Sequence, residues 1–112
     1  MKYVNKLIIV ILLLIQVDVF AGAKEKAVKD SVAVNGNCEM CKKNIEAAVD
    51  LKGVKWAEWN VEKHRLYVEY LPSKISMDKI QQEIANAGYD TEKYKASDAA
   101  YKKLHACCKY DR

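Results

Sequence analysis

Two patterns of hydrophobic and polar residues recur along the chain. The first is strict alternation, clearest at Leu66, Val68 and Tyr70, whose more polar neighbours face the other way; it is typical of a half-buried strand. The second spaces apolar residues three or four positions apart, as at Ile45 and Ala48, and indicates an amphipathic helix. The predicted elements are strand 31–34, helix 39–51, strand 54–61, strand 66–70, helix 77–87 and strand 89–95.

The order of these elements, β-α-β-β-α-β, predicts the fold class. It is the order of an α+β, ferredoxin-like fold with a four-stranded antiparallel sheet and two helices on one face. Ser97 is placed to cap a further short helix over 98–105. We therefore predict one domain over 31–95, followed by a C-terminal helical tail over 96–112 that contains the pair Cys107-Cys108.

The first 23 residues have the pattern of a secretory signal peptide. Two lysines precede an unbroken apolar run over 7–15, and the small-residue pattern Ala21-Gly22-Ala23 follows. This predicts cleavage after Ala23, or after Ala21 as a second choice. An uncleaved membrane anchor is the alternative, but it needs about 20 apolar residues. We expect an exported protein, periplasmic in a two-membrane bacterium, with no stable membrane insertion after cleavage.

Length and charge narrow the function classes. A chain of 112 residues accommodates one small domain and excludes a two-lobed enzyme. Lys and Arg number 19 against 15 Asp and Glu, a formal charge of +4. Because the two signs are interleaved, the pattern argues against a dedicated nucleic-acid surface. All four cysteines lie beyond the predicted cleavage site, in a part of the chain expected to reach an oxidising compartment.

The chemistry is concentrated in Cys38-Glu39-Met40-Cys41, at the junction of the first strand and the first helix. Two sulfurs at this spacing reach one ion, and the unpaired N–H groups and positive end of the helix favour thiolate over thiol. Two thiolates suit a soft ion of low coordination number. Cu(I) is the leading candidate, and Hg(II), Ag(I) and Zn(II) remain open. We expect the two sulfurs to be open to solvent.

Two other interpretations of the cysteine pair stay open at this point. A thioredoxin-like redox pair uses the same spacing, but that fold has more structure before its dithiol and a proline opposite it. The single proline here, Pro72, lies at a strand end. A purely structural disulfide is the other alternative, since the compartment permits one.

Several segments around the pair share the pattern of one family. They are Gly36-Asn37-Cys38-Glu39-Met40-Cys41, Lys42-Lys43-Asn44-Ile45-Glu46, Gly53-Val54, Leu66-Tyr67-Val68-Glu69-Tyr70 and Ile84-Ala85-Asn86-Ala87-Gly88-Tyr89-Asp90. Over residues 32–95 the chain resembles the heavy-metal-associated domain of copper chaperones, mercury-binding periplasmic proteins and metal-pump N-terminal modules. The resemblance implies a ferredoxin-like fold with Cys38 and Cys41 as metal ligands.

The resemblance extends to one more side chain and fails at another. Tyr89 matches the position that bacterial members place in the loop beside the metal; the alternative is an ordinary half-buried tyrosine after a helix. Met40 offers a thioether between the two ligands, although an exposed or packed side chain is its more ordinary role. Gly36 stands where the family usually has a methionine packed under the loop, so we expect a less firmly anchored loop.

The tail carries three further donors that the family pattern does not explain: His105, Cys107 and Cys108. If the tail folds back over the first loop, Cys107 or Cys108 completes a metal site with the first pair, or forms a disulfide or exchanges thiols with it. Alternatively, Cys107 packs with residues of the last helix, or the adjacent cysteines form a strained vicinal disulfide. Taken alone, His105 is better explained as a surface residue.

The function predicted from these features is that of a non-enzymatic, exported metallochaperone or scavenger. It would bind one soft ion and pass it to a metal transporter or efflux component by thiolate exchange, acting as a monomer or a metal-bridged dimer. The alternative is a thiol–disulfide oxidoreductase that uses the same cysteine pair, and a third possibility is an interaction module whose cysteines form only disulfides.

Overall fold

The computed structural model describes residues 25–112. The predicted signal peptide, residues 1–23, lies outside the described residues. Within the part of the chain that is described, no helix has both the length and the apolar character needed to cross a membrane.

Three strands and two ten-residue helices form the body of the domain. The elements are β1 (Val28–Ala33), α1 (Glu39–Ala48), β2 (Val54–Asn60), β3 (Arg65–Tyr70), α2 (Met77–Asn86) and α3 (Asp98–Lys102), followed by a 3-10 helix over Ala106–Cys108. β3 is central and pairs antiparallel with both β1 and β2. Two predicted N-caps are confirmed: the hydroxyl of Ser76 accepts from an N–H of α2, and that of Ser97 from an N–H of α3, each at 3.1 Å.

One face of the sheet carries the core. Val32, Trp59 and Leu66 lie opposite one another on the three strands and are at most 2% exposed. Ile45 of α1 and Ile84 of α2 are fully buried in the same cluster. The apolar side chains of the alternating strands therefore pack against the apolar faces of both helices, as predicted. The domain is one layer of helices on one layer of sheet.

The predicted fourth strand, 89–95, is not formed in the described chain. A single bridge between Val34 and Thr91 joins this segment to the sheet. The segment instead closes on itself, because the N–H of Thr91 donates to the carbonyl of Tyr94 at 2.7 Å. A carboxylate oxygen of Glu92 accepts from a backbone N–H at the end of β1, at 3.0 Å, where a neighbouring strand would offer its carbonyl. The sheet has three strands because these local contacts replace the ladder.

Trp59 anchors the loop that leads into α1. A Cβ added to Gly36 would lie 3.0 Å from the indole ring of Trp59 and 3.2 Å from the Cβ of Cys41. Because glycine has no side chain, the indole ring can pack directly against the loop. The indole N–H donates to the carbonyl of Val34 at 3.0 Å. The expectation of a weakly anchored loop at Gly36 is wrong, because a tryptophan from β2 occupies the space beneath it.

Gly88 brings the tail against the end of α2. Its φ of +108° is in the left-handed region, and a Cβ there would lie 2.9 Å from the carbonyl oxygen of Ala100. The buried hydroxyl of Tyr110 donates to the carbonyl of Gly88 at 2.8 Å and accepts from the N–H of Asp90 at 2.9 Å. The ring of Tyr101 meets that of Tyr110 edge-on, with centroids 5.1 Å apart. The tail is therefore packed on the domain as part of its structure.

We predict that Trp59→Phe lowers the free energy of unfolding by about 1–3 kcal/mol, because it leaves the buried carbonyl of Val34 without its donor. Trp56 provides a matched control on the same strand: it is 50% exposed, so Trp56→Phe should change stability by less than about 0.5 kcal/mol. Urea unfolding followed by circular dichroism measures both. Equal effects of the two substitutions would show that Trp59 does not anchor the loop.

Candidate metal centre

The strand-to-helix corner places Cys38 and Cys41 as predicted. Cys38 is the N-cap residue of α1, with extended backbone (φ −143°, ψ −179°), and Cys41 lies in the first turn. Their sulfurs are 3.7 Å apart. The spacing brings them together because one residue before the helix and one in its first turn lie on the same side of the helix end.

The helix end favours the thiolate form of Cys38. Its pKa is lowered to about 7, chiefly by the backbone N–H of Cys41 and to a lesser degree by that of Met40. The N–H of Asn37 donates to the sulfur of Cys41 at 3.3 Å. N–H groups at the start of α1 therefore face the sulfur of Cys38, as the position of the motif predicted, whereas the sulfur of Cys41 accepts from the loop that precedes the helix.

The tail brings a third sulfur to the corner. The sulfurs of Cys38, Cys41 and Cys108 all lie within 4.8 Å of one another. Cys108 is fully buried at the end of the 3-10 helix, which contacts α1. Burial raises the pKa of the Cys108 thiol above its usual range, and the neighbouring Cys41 sulfur adds to the rise. All four cysteines carry free thiols.

The site is less open than the sequence predicted. Cys41 and Cys108 are both 0% exposed, and only Cys38 retains partial exposure. The tail causes the difference: the carbonyl of Cys107 accepts from the Cys38 thiol at 3.5 Å and from the side-chain amide of Asn37 at 3.4 Å. The tail therefore lies directly over the strand-to-helix corner, and of the three clustered cysteines only Cys38 is in contact with solvent.

Tyr89 lies behind the sulfurs, fully buried, so it is not the half-buried tyrosine of the alternative interpretation. Its hydroxyl accepts from the side-chain amide of Asn44 at 3.0 Å and lies beside the sulfur of Cys108. Burial raises the pKa of Tyr89, so the hydroxyl keeps its proton and can donate it in a hydrogen bond. No role is predicted for Asn44 from the sequence. Its position three residues after Cys41 places it on the same face of α1 as that cysteine, and this spacing could have identified it.

The remaining predicted donors lie outside the three-sulfur cluster. Cys107 is exposed, so it does not pack with α3, and its thiol donates to the sulfur of Met40 at 3.7 Å. Met40 is 42% exposed. His105 is exposed, as expected for a surface residue. The tail thus separates its two cysteines, with the sulfur of Cys108 directed inward and that of Cys107 outward.

Comparison with known proteins points to one family. The model of the heavy-metal-associated domain matches residues 31–90, more than half of the chain. A copper chaperone, CopZ of Staphylococcus epidermidis, is 35% identical over 57 residues, which cover 50% of this chain and 84% of that protein.

Solved structures agree with this match. A structure described as the CopZ metallochaperone has a TM-score of 0.55 at 30% identity and covers 57% of this chain and 98% of its own. A copper-binding domain from HMA7, a P-type ATPase, also has a TM-score of 0.55, at 32% identity, and covers 57% of this chain and 89% of its own. The family match ends at residue 90, so Cys107 and Cys108 lie beyond it.

In the reduced, metal-free protein, we expect the alkylation rate of Cys38 to rise with pH around a midpoint of about 7. Its lowered pKa makes the thiolate, the reactive form, predominant above that pH. Cys108 should stay unmodified while the protein is folded, because it is buried and its pKa is raised. Iodoacetamide labelling read by peptide mass spectrometry measures each site, with the urea-unfolded chain as control. A Cys38 midpoint near the ordinary value of about 8.5 contradicts the assignment.

Proposed function

Since the chain belongs to the heavy-metal-associated domain family, we propose that it is a non-enzymatic carrier of a soft metal ion, Cu(I) first among them. The observation that supports this proposal is the cluster of three free thiols within 4.8 Å of one another at the start of α1. Thiolate ligands select soft ions such as Cu(I). The relatives described above are named as copper chaperones or copper-binding domains.

The donor set also orders the other candidate ions. Hg(II) and Ag(I) are soft and suit the same sulfurs, so they are expected to compete with Cu(I). Zn(II) in a structural site takes four ligands, whereas among residues 25–112 the cluster comprises three cysteines, with no histidine or carboxylate in the group. We therefore place Zn(II) last.

We further propose that the ion leaves by ligand exchange with a metal transporter or efflux component. A partner's thiolate bonds to the ion as one of the carrier's thiolates leaves it, so neither the ion nor any sulfur changes oxidation state. The exposure of Cys38 supports an approach from that side, since Cys41 and Cys108 are covered. The oxidoreductase alternative receives no support from the relatives described above.

We expect Cys38→Ser and Cys41→Ser each to weaken Cu(I) binding at least about 100-fold, because even supporting residues around a metal change its affinity by 10–100-fold. Stoichiometric binding by the reduced protein should therefore be lost against a chromogenic Cu(I) chelator under anaerobic conditions. Cys107→Ser is the matched control, since this exposed sulfur lies outside the cluster. Wild-type stoichiometry and affinity in either of the first two variants would refute the assignment.

The N-terminal pattern leads us to propose that the protein is exported. Expressed with its natural start in a two-membrane bacterium, it should accumulate in the periplasmic fraction with a mature chain beginning at Lys24, or at Gly22 if the second cleavage site is used. Intact mass spectrometry of the fractions measures this. Recovery of the uncleaved chain in the membrane fraction would identify residues 1–23 as an anchor instead.

A further inference from the structure

We propose that Cys108, supplied by the C-terminal tail, is the third thiolate ligand of the carried ion, which is then held in a three-sulfur site with Cys38 and Cys41. The inference rests on the proposed carrier function and specifies its site. Cys108 lies beyond the range matched by the family model, so this ligand is a property of this chain's own tail.

The separation of the first two sulfurs fits a triangular site. With a metal–sulfur bond of about 2.3 Å, as in zinc thiolates, two sulfurs on opposite sides of an ion lie about 4.6 Å apart, and three at the corners of a triangle about 4.0 Å apart. The sulfurs of Cys38 and Cys41 are 3.7 Å apart, well below the linear separation and close to the values for three ligands (about 4.0 Å) and for four at tetrahedral corners (about 3.8 Å); the thiols of the cluster number three. The Cys108 sulfur lies within 4.8 Å of both, so a small side-chain adjustment closes the triangle.

The tail holds Cys108 in place from both sides. Before it, the 3-10 turn is closed by the N–H of Cys108 donating to the carbonyl of His105 at 2.8 Å. Two residues after it, Tyr110 is buried and hydrogen-bonded to the main chain at Gly88 and Asp90. Cys108 is therefore positioned by packing, and its sulfur reaches the corner without a cost in ordering a free chain end.

The surroundings of Cys108 also suit a ligand. Its sulfur faces Cys41 and the hydroxyl of Tyr89, rather than only hydrocarbon. Tyr89 is in turn oriented by the amide of Asn44, at 3.0 Å. Supporting hydrogen bonds of this kind hold metal ligands in position. A buried cysteine that served only as a small apolar side chain would need neither neighbouring thiol nor hydroxyl.

A third ligand from the tail changes how the ion is released. Cys41 and Cys108 shield the ion from one side, so a partner's thiolate approaches past the partly exposed Cys38. The Cys108–ion bond then breaks as the partner's sulfur–ion bond forms, and the tail keeps a free thiol after taking a proton from solvent. The partner's sulfur thereby replaces that of Cys108 as the third ligand of the ion.

X-ray absorption spectroscopy of the Cu(I)-loaded full chain, prepared anaerobically with one equivalent of Cu(I), tests this inference. We expect three sulfurs around copper in the wild type and in Cys107→Ser, and two in Cys108→Ser, with Cu(I) affinity of the last variant reduced on the order of 10–100-fold. Cys108→Ala provides a second variant that places no hydroxyl in the buried position, and circular dichroism checks that both are folded.

The other outcomes separate the two proposals. Two sulfurs around tightly bound Cu(I) in the wild type overturn the third ligand and leave the carrier function standing. Three sulfurs in both Cys108 variants also overturn it, and dimerisation on copper addition would then assign the third sulfur to a second molecule. Failure of the wild type to bind Cu(I) overturns the carrier function and this inference with it.

Discussion

The contacts of one residue, Asp90, join the loop before α1, the end of α2 and the tail. Its carbonyl accepts from the N–H of Asn35 at 2.9 Å, which secures the loop before Cys38. Its N–H donates to the hydroxyl of Tyr110, and its carboxylate accepts from the N–H of Ala96 at 2.8 Å and from two nitrogens of the Arg112 guanidinium at 3.1 and 3.2 Å. Because these bonds converge on a residue only 9% exposed, they fix the position of the tail relative to the loop. The position of Cys108 near the other two cysteines follows from this.

This arrangement gives the sulfurs different surroundings. Cys38 is partly exposed, and its pKa is lowered by the end of α1, whereas the pKa of buried Cys108 is raised. Under the proposed function, the first suits the approach and departure of an ion, and the second suits a ligand that binds only once an ion displaces its proton. If the protein is exported as proposed, cover by the tail would also limit oxidation of the inner sulfurs, since access controls thiol exchange.

Local pattern was sufficient to predict most of the fold. The start of α1 at Glu39, the cap at Ser76 and the alternation of β3 were all predicted, because each depends on neighbours within four residues. The fourth strand was not predicted correctly. The segment 89–95 was predicted to be a short strand, but the N–H of Thr91 donates to Tyr94 within its own turn, and the Glu92 carboxylate accepts an N–H at the end of β1. Which of these contacts prevails depends on the tertiary environment and not on propensity.

For the candidate site, the sequence alone determined the sulfur donors and the pairing of Cys38 with Cys41, since two residues three positions apart at a helix start lie close together whatever the rest of the chain does. It also carried the resemblance to the heavy-metal-associated family. Only the tertiary structure decided that Trp59 fills the space under the loop at Gly36, that Cys108 turns inward while Cys107 turns outward, and that the corner is covered. The physical reason is sequence separation: Cys108 lies 67 positions from Cys41, so their contact depends on packing of the tail through Tyr110 and Asp90, which no local spacing specifies.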